Sequence, residues 1–594
     1  MSLADPVADA VEKYHGDPSY LVQILREAQA TLGWIAPATV GDIAARLNVP
    51  RTRVESVLQF YSFLYDKPRG TYRVLISDNV TDRMLGSLAL FERLCGQLNV
   101  ERGEVSADGL VSVDLTSCTG MCDQGPAMLV NNIAIPRLTE RRIDEIVDLI
   151  RARVPLSRWP DPFFRIEDNI RRAGPLLGPS LAPGRALDAA IAFGRQGLLD
   201  EMKRSNLRGR GGAGFSTGMK WEGCRNAPGA ERYVVCNADE GEPGTFKDRV
   251  LLQSHAGRVF EGMAIAGFVV GALKGLLYLR GEYEYLKAPL EAELAGMRRA
   301  GLLGTSIRGA AGFDFDIEIH LGAGAYVCGE ESALIESLEG KPGKPRIRPP
   351  FPVTSGYLGR PTVVNNVETL CQATEVAIHG GSAFRGLGTK TSTGSKILSV
   401  SGDCARPGLY EYPFGVTVAQ VLEDCGSADV AAVQVSGPSG VCLTPDEFSR
   451  RIAFEDVPTA GAFMVFGGHR DLFEVARNFS HFFAHESCGF CTPCRVGTAL
   501  QRDVMDKLAD GRGSRYEINE LMRLHELMRR TSHCGLGQTA GNPIRDTWLK
   551  FRPAYERRLQ SREFAPAIDL DAALAPARKV TGRDDAGAHL GAEA

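Results

Sequence analysis

The spacing of apolar and polar positions divides the chain into stretches of different period. From Asp5 to about Phe63, segments such as LVQILREAQATLGWI and TVGDIAARLNVPRTRVESVLQFYSFL place apolar residues three and four apart, which predicts short amphipathic helices in a small bundle. TYRVLIS and LVSVDL read as strands, with helical periods in GSLALFERLCGQL between them and RRIDEIVDLIRARV after them, a small α/β layer ending near Val154. Prolines recurring between 155 and 183 break every period, as in a connector. A helical segment, ALDAAIAFGRQGLLDEMKRSN, then enters the glycine-rich RGRGGAGFSTGMKW, and apolar strands such as RYVVCN follow. Residues 395–470 hold short strands (SKILSVSG, AAVQVSG, AFMVFG) without an evident reactive cluster, and read as a structural insert. The helical period returns after Asp471 and runs to about Gln560; the tail beyond has no periodicity and is expected to be disordered.

At 594 residues several packed units are expected. Hydrophobic residues at 44% and charged residues at 24% fit a soluble globular protein. The 68 basic and 72 acidic residues leave a net charge of -4, with no excess of positive charge to neutralise a phosphate backbone, which argues against nucleic acid as a partner. The most membrane-like run, Gly262 to Leu273, is closed by Glu261 and Lys274 and falls well short of the roughly 20 residues a bilayer requires, so it reads as a buried helix and no integral membrane span is expected. The start, MSLADPVADAVEKYHG, lacks the apolar core of a secretory signal, and a cytoplasmic location is expected. In that setting the 14 cysteines read as thiols and metal ligands rather than a disulfide framework.

Three of them, Cys488, Cys491 and Cys494, repeat as C-x2-C-x2-C in ESCGFCTPCR, the way a chain supplies three corners of a cubane cluster. Cys534 in TSHCGLG follows a helical stretch whose hairpin returns the chain to its start, and is the natural fourth ligand of a [4Fe-4S] centre. Four thiolates also suit tetrahedral zinc, but zinc ligands usually come as two separated C-x2-C knuckles. His533 beside Cys534 reads as a neighbour of the site rather than a ligand.

Gly209, Gly211, Gly212 and Gly214 make a loop with little side-chain bulk, so its N–H groups can approach an anion or a flat ring closely, and Lys220 follows as a point charge for a phosphate. The loop is neither a Walker A motif nor a dinucleotide fingerprint. CNADEGEPGTFKDR and GAGAYVCGEESAL add acidic and small residues in the same region, which together suggest a built pocket.

RGRGGAGFSTGMKW, CNADEGEPGTFKDR, GAGAYVCGEESALIES, PPFP, NNVET and ESCGFCTPCR together resemble the NADH-oxidising flavoprotein subunit of respiratory complex I and its soluble diaphorase relatives, over roughly 186–560. The first 155 residues resemble the thioredoxin-like partner subunit of the same systems, fused here into one chain. With SADGLVSVDLTSCTGMCDQGPAML and HCGLGQTAGNPI, the whole is most similar to the diaphorase flavin subunits of cytoplasmic NAD-reducing nickel-iron hydrogenases. The resemblance implies an α/β multidomain chain: a helical bundle over 1–65, a thioredoxin-like domain over 66–154, a linker over 155–185, a Rossmann-like FMN- and NAD-binding domain over 186–390, a ubiquitin-like β-grasp insert over 391–470, a helical iron-sulfur bundle over 471–562 and a disordered tail over 563–594.

It also implies roles. FMN would lie against Gly209, Arg210, Gly211 and Gly212, with Lys220, Asn365, Asn366 and Thr369 on its phosphate and ribityl groups. Asn237, Asp239, Glu240, Tyr326, Gly329, Glu330 and Glu331 would line the isoalloxazine, Phe215 and Phe351 would sandwich the NAD adenine, and Glu242 would face the nicotinamide. On that resemblance Glu242, Glu330 and Glu331 would be the carboxylates at the reacting centre. Arg348 stands where the family often has Lys before PPFP, and WEGC lacks a further aromatic after the KW pair. In the N-terminal domain the family's [2Fe-2S] cluster uses two cysteine pairs. Cys118 and Cys122 match the second, while Ser77 and Asp82 stand where the first belongs, so packed thiols are expected there rather than a bound cluster. Cys95, on the helical face ALFERLC, is expected in the core. The implied partners are an iron-sulfur subunit and the hydrogenase small and large subunits, with NAD(H) as substrate. The equivalent subunit of an NAD-dependent formate dehydrogenase and a non-catalytic zinc-bearing assembly module are the alternatives.

Overall fold

The computed structural model describes residues 5–178, 180–560 and 570–584. The first helices form as the apolar spacing requires, and Asp5 caps the helix Pro6–Lys13 by accepting from the N–H groups of Val7 and Ala8, both at 3.1 Å. The helices Leu21–Leu32 and Arg51–Leu58 bury Leu21, Ile24, Leu25, Val54 and Val57. This bundle does not close on itself. Its core is continuous with Val235 and Leu276 of the central sheet and with Cys494 and Cys534. Polar ties follow the same junction: Gln23 donates to the Leu321 carbonyl at 2.8 Å, and Arg26 pairs with Glu284 at 2.6 Å.

Strands β1 (Tyr72–Ser77), β2 (Val111–Thr116), β3 (Met128–Val130) and β4 (Ile133–Ile135) form a sheet in the order β2-β1-β3-β4, parallel between β1 and β2 and antiparallel beyond. The helices Ser87–Leu98 and Glu140–Arg151 bury their apolar faces on it. The proline-rich connector is not structureless: it supplies β5 (Ile170–Arg172), which pairs in parallel with a strand of the insert more than two hundred residues later.

The central sheet is entirely parallel: β6 (Tyr233–Ala238), β7 (Lys274–Leu279), β8 (Asp316–Leu321) and β9 (Thr362–Asn366), in the order β8-β7-β6-β9. The inner strands β6 and β7 are mostly apolar runs, as a sheet covered on both faces requires, while the edge strand β8 (DIEIHL) alternates. The membrane-like segment is the helix Ala256–Val270, buried from Arg258 to Val270. Among the described residues no helix is long and apolar enough to cross a membrane.

The insert contributes β10 (Ser395–Gly402), β11 (Gly408–Pro413), β12 (Val430–Val435), β13 (Val441–Leu443) and β14 (Ala462–Gly467), in a sheet ordered β13-β12-β14-β10-β11-β5 with the helix Val418–Cys425 packed on it. The helices Leu472–Glu486, Thr492–Ala509 and Arg515–Thr531 follow, the last two forming the expected hairpin. One expectation fails beyond 562: the described part of the tail contains a helix, Leu570–Thr581, where disorder was expected; the rest of 563–594 lies outside the described residues.

Candidate flavin and iron-sulfur sites

The glycine loop spans the gap between the helix Arg185–Ser205 and the helix Thr217–Asn226, and lies at the carboxyl ends of the parallel strands, where open α/β sheets bind ligands. It is closed at its base by Gly209 N–H donating to the Phe215 carbonyl at 2.9 Å. Gly212 (φ 117°) and Gly214 (φ 64°) take left-handed backbone. A Cβ on Gly214 would meet the Phe454 ring at 2.6 Å, and one on Gly211 would stand 3.1 Å from Asn366. The loop is therefore held against β9 on one side and the insert on the other. Its open backbone is the kind of cradle a phosphate or flat ring needs.

Arg210 contributes main chain to that cradle. Its N–H donates to Thr369 Oγ1 at 2.8 Å, while the guanidinium, fully buried, turns away to the carbonyls of Arg208, Thr393 and Ser395 and lies over Phe414. Burial lowers its pKa to about 10. Lys220 donates to Glu331 at 2.7 Å and to the Val364 carbonyl at 3.1 Å, so a cation and one predicted carboxylate share the site. The buried Trp221 fixes the neighbouring turn by donating to Asn365 Oδ1 at 2.8 Å. Asn366 caps the next helix through the Glu368 N–H and bonds Asp248 and Lys247.

Asn237 donates to the Gly329 carbonyl at 2.8 Å. Asp239 accepts nothing at Oδ2, an orphaned buried oxygen, and burial pushes its carboxyl well up. Glu240 is differently placed: its carboxylate accepts from the N–H groups of Asp248 and Arg249 and from the Tyr283 hydroxyl, so both oxygens are committed at the start of the helix Lys247–Ser254. Glu330 caps the helix Glu331–Leu338 and pairs with Arg348 at 3.2 Å. Phe215 and Phe351 are half exposed, at 56% and 51%.

Glu242 is held from two domains. Tyr326 Oη donates to it at 2.5 Å, and Ser439 of the insert donates its N–H at 2.9 Å and its hydroxyl at 3.2 Å. Burial raises its pKa to about 7 despite those donors. The insert is thus part of the site through Ser439, Phe454 and Ala460, which composition alone does not reveal. The turn Ser436-Gly437-Pro438-Ser439 was the available signal, since Gly437 (φ 66°) has room for no Cβ beside Glu242.

Cys488, Cys491, Cys494 and Cys534 line one cavity together with Val327, Phe490, His533 and Leu536. Cys491 and Cys534 are the residues before the helices Thr492–Ala509 and Gly535–Thr539, so helix starts aim the ligands inward. Burial pushes Cys494 up to about 12 and Cys534 to about 11, so these thiols ionise only against bound positive charge. Among the described residues no three His, Cys, Asp or Glu side chains converge on a single-ion geometry. His533 borders the cavity with its Nε2 engaged 3.0 Å from the Arg346 carbonyl oxygen.

The N-terminal pair is built otherwise. Cys118 and Cys122 sulfurs lie 3.6 Å apart, and the Asn79 amide donates to both, at 3.6 and 3.0 Å. Ser77 donates to Asp82 at 2.5 Å, which uses the two residues standing at the first ligand pair on each other. Two thiols, an amide wedged against them and a hydroxyl–carboxyl pair do not fit a [2Fe-2S] cluster of the kind held by thiolates. Asn79 is the residue that sequence reasoning missed. Cys95 packs partly buried against the core of its domain, as expected.

Comparisons with known proteins agree with this division. Residues 202–375 match the family described as the Nuo51 FMN-binding domain, 7–151 the thioredoxin-like [2Fe-2S] ferredoxin, and 474–558 the NADH-ubiquinone oxidoreductase-F iron-sulfur binding region. The chain is 42% identical to the NAD-reducing hydrogenase HoxS subunit alpha of Cupriavidus necator over 96% of its own length and 97% of the relative's. It is also 42% identical to the NADP-reducing hydrogenase subunit HndC of Solidesulfovibrio fructosivorans, covering 62% of this chain and 76% of that one. A crystal structure of an NAD+-reducing [NiFe]-hydrogenase in the H2-reduced state superposes with a TM-score of 0.88 at 44% identity, over 97% of this chain and 98% of that one. The chain belongs to the family of the alpha subunits of NAD-reducing hydrogenases.

Proposed function

We propose that the chain is a diaphorase subunit that exchanges hydride between NAD and FMN and single electrons between FMN and a [4Fe-4S] cluster, coupling hydrogen oxidation on partner subunits to NAD reduction. The observation that carries this reading is the adjacency of Tyr326 and Val327. Tyr326 bonds Glu242, and the next residue, Val327, lines the cysteine cavity, so adjacent residues of one segment join the two candidate sites.

When bound, FMN converts between two-electron and one-electron chemistry, and the cluster carries electrons singly. The residues do the placing. The N–H groups of Gly211 and Gly212 would face the flavin, since those of Gly209 and Arg210 are committed to Phe215 and Thr369, and Lys220, Asn365, Asn366 and Thr369 would hold its phosphate and ribityl groups. Asn237, Asp239, Tyr326, Gly329, Glu330 and Glu331 border the ring. Phe215 and Phe351 offer exposed faces for an adenine, with Arg348 near them. Glu242 holds a proton at a site the nicotinamide approaches, and Tyr326 and Ser439 fix its orientation. The four cysteines hold the cluster.

The units are read as the helical bundle and thioredoxin-like domain, a Rossmann-like flavin domain over 186–390, a ubiquitin-like β-grasp insert over 391–470 and the helical cluster domain over 471–562. An iron-sulfur subunit with hydrogenase small and large subunits are the partners, in the cytoplasm. Similarity over the full length to the alpha subunit of an NAD-reducing hydrogenase supports this over a formate dehydrogenase. The test is purification of the chain, alone and with its copurifying subunits. The isolated chain is expected to release FMN on denaturation, to hold iron near four per chain and to reduce dyes with NADH; zinc without flavin would overturn the reading.

A further inference from the structure

Outside the flavin and cluster sites, two thiols meet on the insert. Cys404 lies in the loop between β10 and β11, and Cys425 is the last residue of the helix Val418–Cys425. Two backbone bonds hold the segments side by side: Arg406 N–H donates to the Cys425 carbonyl at 3.0 Å and Ala405 N–H to the Gly426 carbonyl at 3.4 Å. Gly426 (φ 70°) lets the helix end turn directly after Cys425. These bonds set the two cysteines at neighbouring positions, close enough for each thiol to shift the other's ionisation, and both are free thiols.

Access and ionisation are divided between them. Cys404 is partly exposed and Cys425 is buried. Hydrogen bonding from Cys404 holds Cys425 down to about 7, helped by Ser427, whose hydroxyl lies 3.1 Å from its sulfur, and the shared proton raises Cys404 in turn. The pair Cys118 and Cys122 also touches, but both sulfurs are buried and bonded to Asn79. Cys95, half-buried, packs against the core of the thioredoxin-like domain.

We propose that Cys404 and Cys425 are a redox-active dithiol that closes reversibly to a disulfide on exchange with low-molecular-weight disulfides. Cys404, the sulfur solvent reaches, passes its proton to Cys425 and attacks one sulfur of the small disulfide. That S–S bond breaks and one small thiolate leaves. Cys425, losing the shared proton to the departing thiolate, attacks the Cys404 sulfur, forms the protein disulfide and expels the second small thiolate, which takes the other proton from water. The two protein thiols are oxidised and one small disulfide is reduced to two thiols.

The full chain with its cofactors, incubated with oxidised glutathione, quenched with N-ethylmaleimide and mapped by mass spectrometry, tests this. The expected result is a linked peptide pair joining Cys404 and Cys425, two hydrogens lighter than the free peptides, restored by dithiothreitol, at a yield about tenfold or more above any link involving Cys95. Both cysteines alkylated as free thiols, or glutathionylated without a link, would overturn the proposal. Cys425→Ser is expected to stop at a stable glutathione adduct on Cys404; no adduct there would also overturn it.

Discussion

The hydroxyl of Tyr326 donates to Glu242 at 2.5 Å, while the backbone N–H of the same tyrosine donates to Glu486 at 3.0 Å, at the end of the helix leading into the cluster cysteines. One residue thus ties the carboxylate of the flavin side to the end of the helix that leads into Cys488. Its ring packs edge-on against Phe482, 5.0 Å between centroids, which fixes the hydroxyl's aim.

Glu242 is expected to titrate within the working range. Its carboxyl is raised from 4.5 to about 7 by burial, so the folded chain binds this proton more tightly than the unfolded one. Its contribution to stability is present in full below about pH 4.5 and is lost as the pH rises through about 7. Glu242→Gln fixes the neutral form. NADH oxidation should slow with FMN still bound, and the activity profile should flatten around pH 7; an unchanged rate and profile would remove Glu242 from its role.

Cys491→Ala should abolish the low-temperature EPR signal of the reduced cluster and leave FMN content intact, since the glycine cradle lies on other elements. Persistence of that signal would take Cys491 out of the ligand set.

The N-terminal thiols should hold no iron. Cys118→Ser is expected to leave iron near four per chain rather than lower it from about six, and the reduced protein should show no [2Fe-2S] signal. A loss of about two irons in that variant would show that Asn79 moves aside for a cluster.

Asp123 and Arg249 join the thioredoxin-like region to the flavin region as a fully buried ion pair at 3.0 Å. Removing one partner strands a buried charge, at a cost of about 3–5 kcal/mol. Asp123→Ala should therefore lower the thermal midpoint strongly, and Asp123→Ala with Arg249→Met should recover part of the loss. Equal destabilisation by the single and double variants would mean that the pair is not what holds the junction.

Local spacing made much of this legible. The C-x2-C-x2-C run, the glycine loop and the period of the helices are short-range patterns, and the structure brings the four cysteines to one cavity and sets the loop between two helices. What stayed hidden depends on contacts between distant segments. Ser439 reaches Glu242 across almost two hundred residues, and the N-terminal helices share a core with the flavin sheet. Nor does any local rule show that Arg210 turns its guanidinium away from the loop, or that Glu240 is spent on helix N–H groups. Asn79 gave no signal because an amide near thiols has no spacing signature.

The most direct measurement is anaerobic titration of the purified chain with NADH, followed by flavin absorbance and cluster EPR in the same samples. Bleaching of the flavin band together with the appearance of one [4Fe-4S] signal is the expected result, with only the cluster signal lost in Cys491→Ala. A flavin that bleaches while the intact cluster stays oxidised at every NADH level, or a protein with neither chromophore, would contradict electron exchange between the two sites.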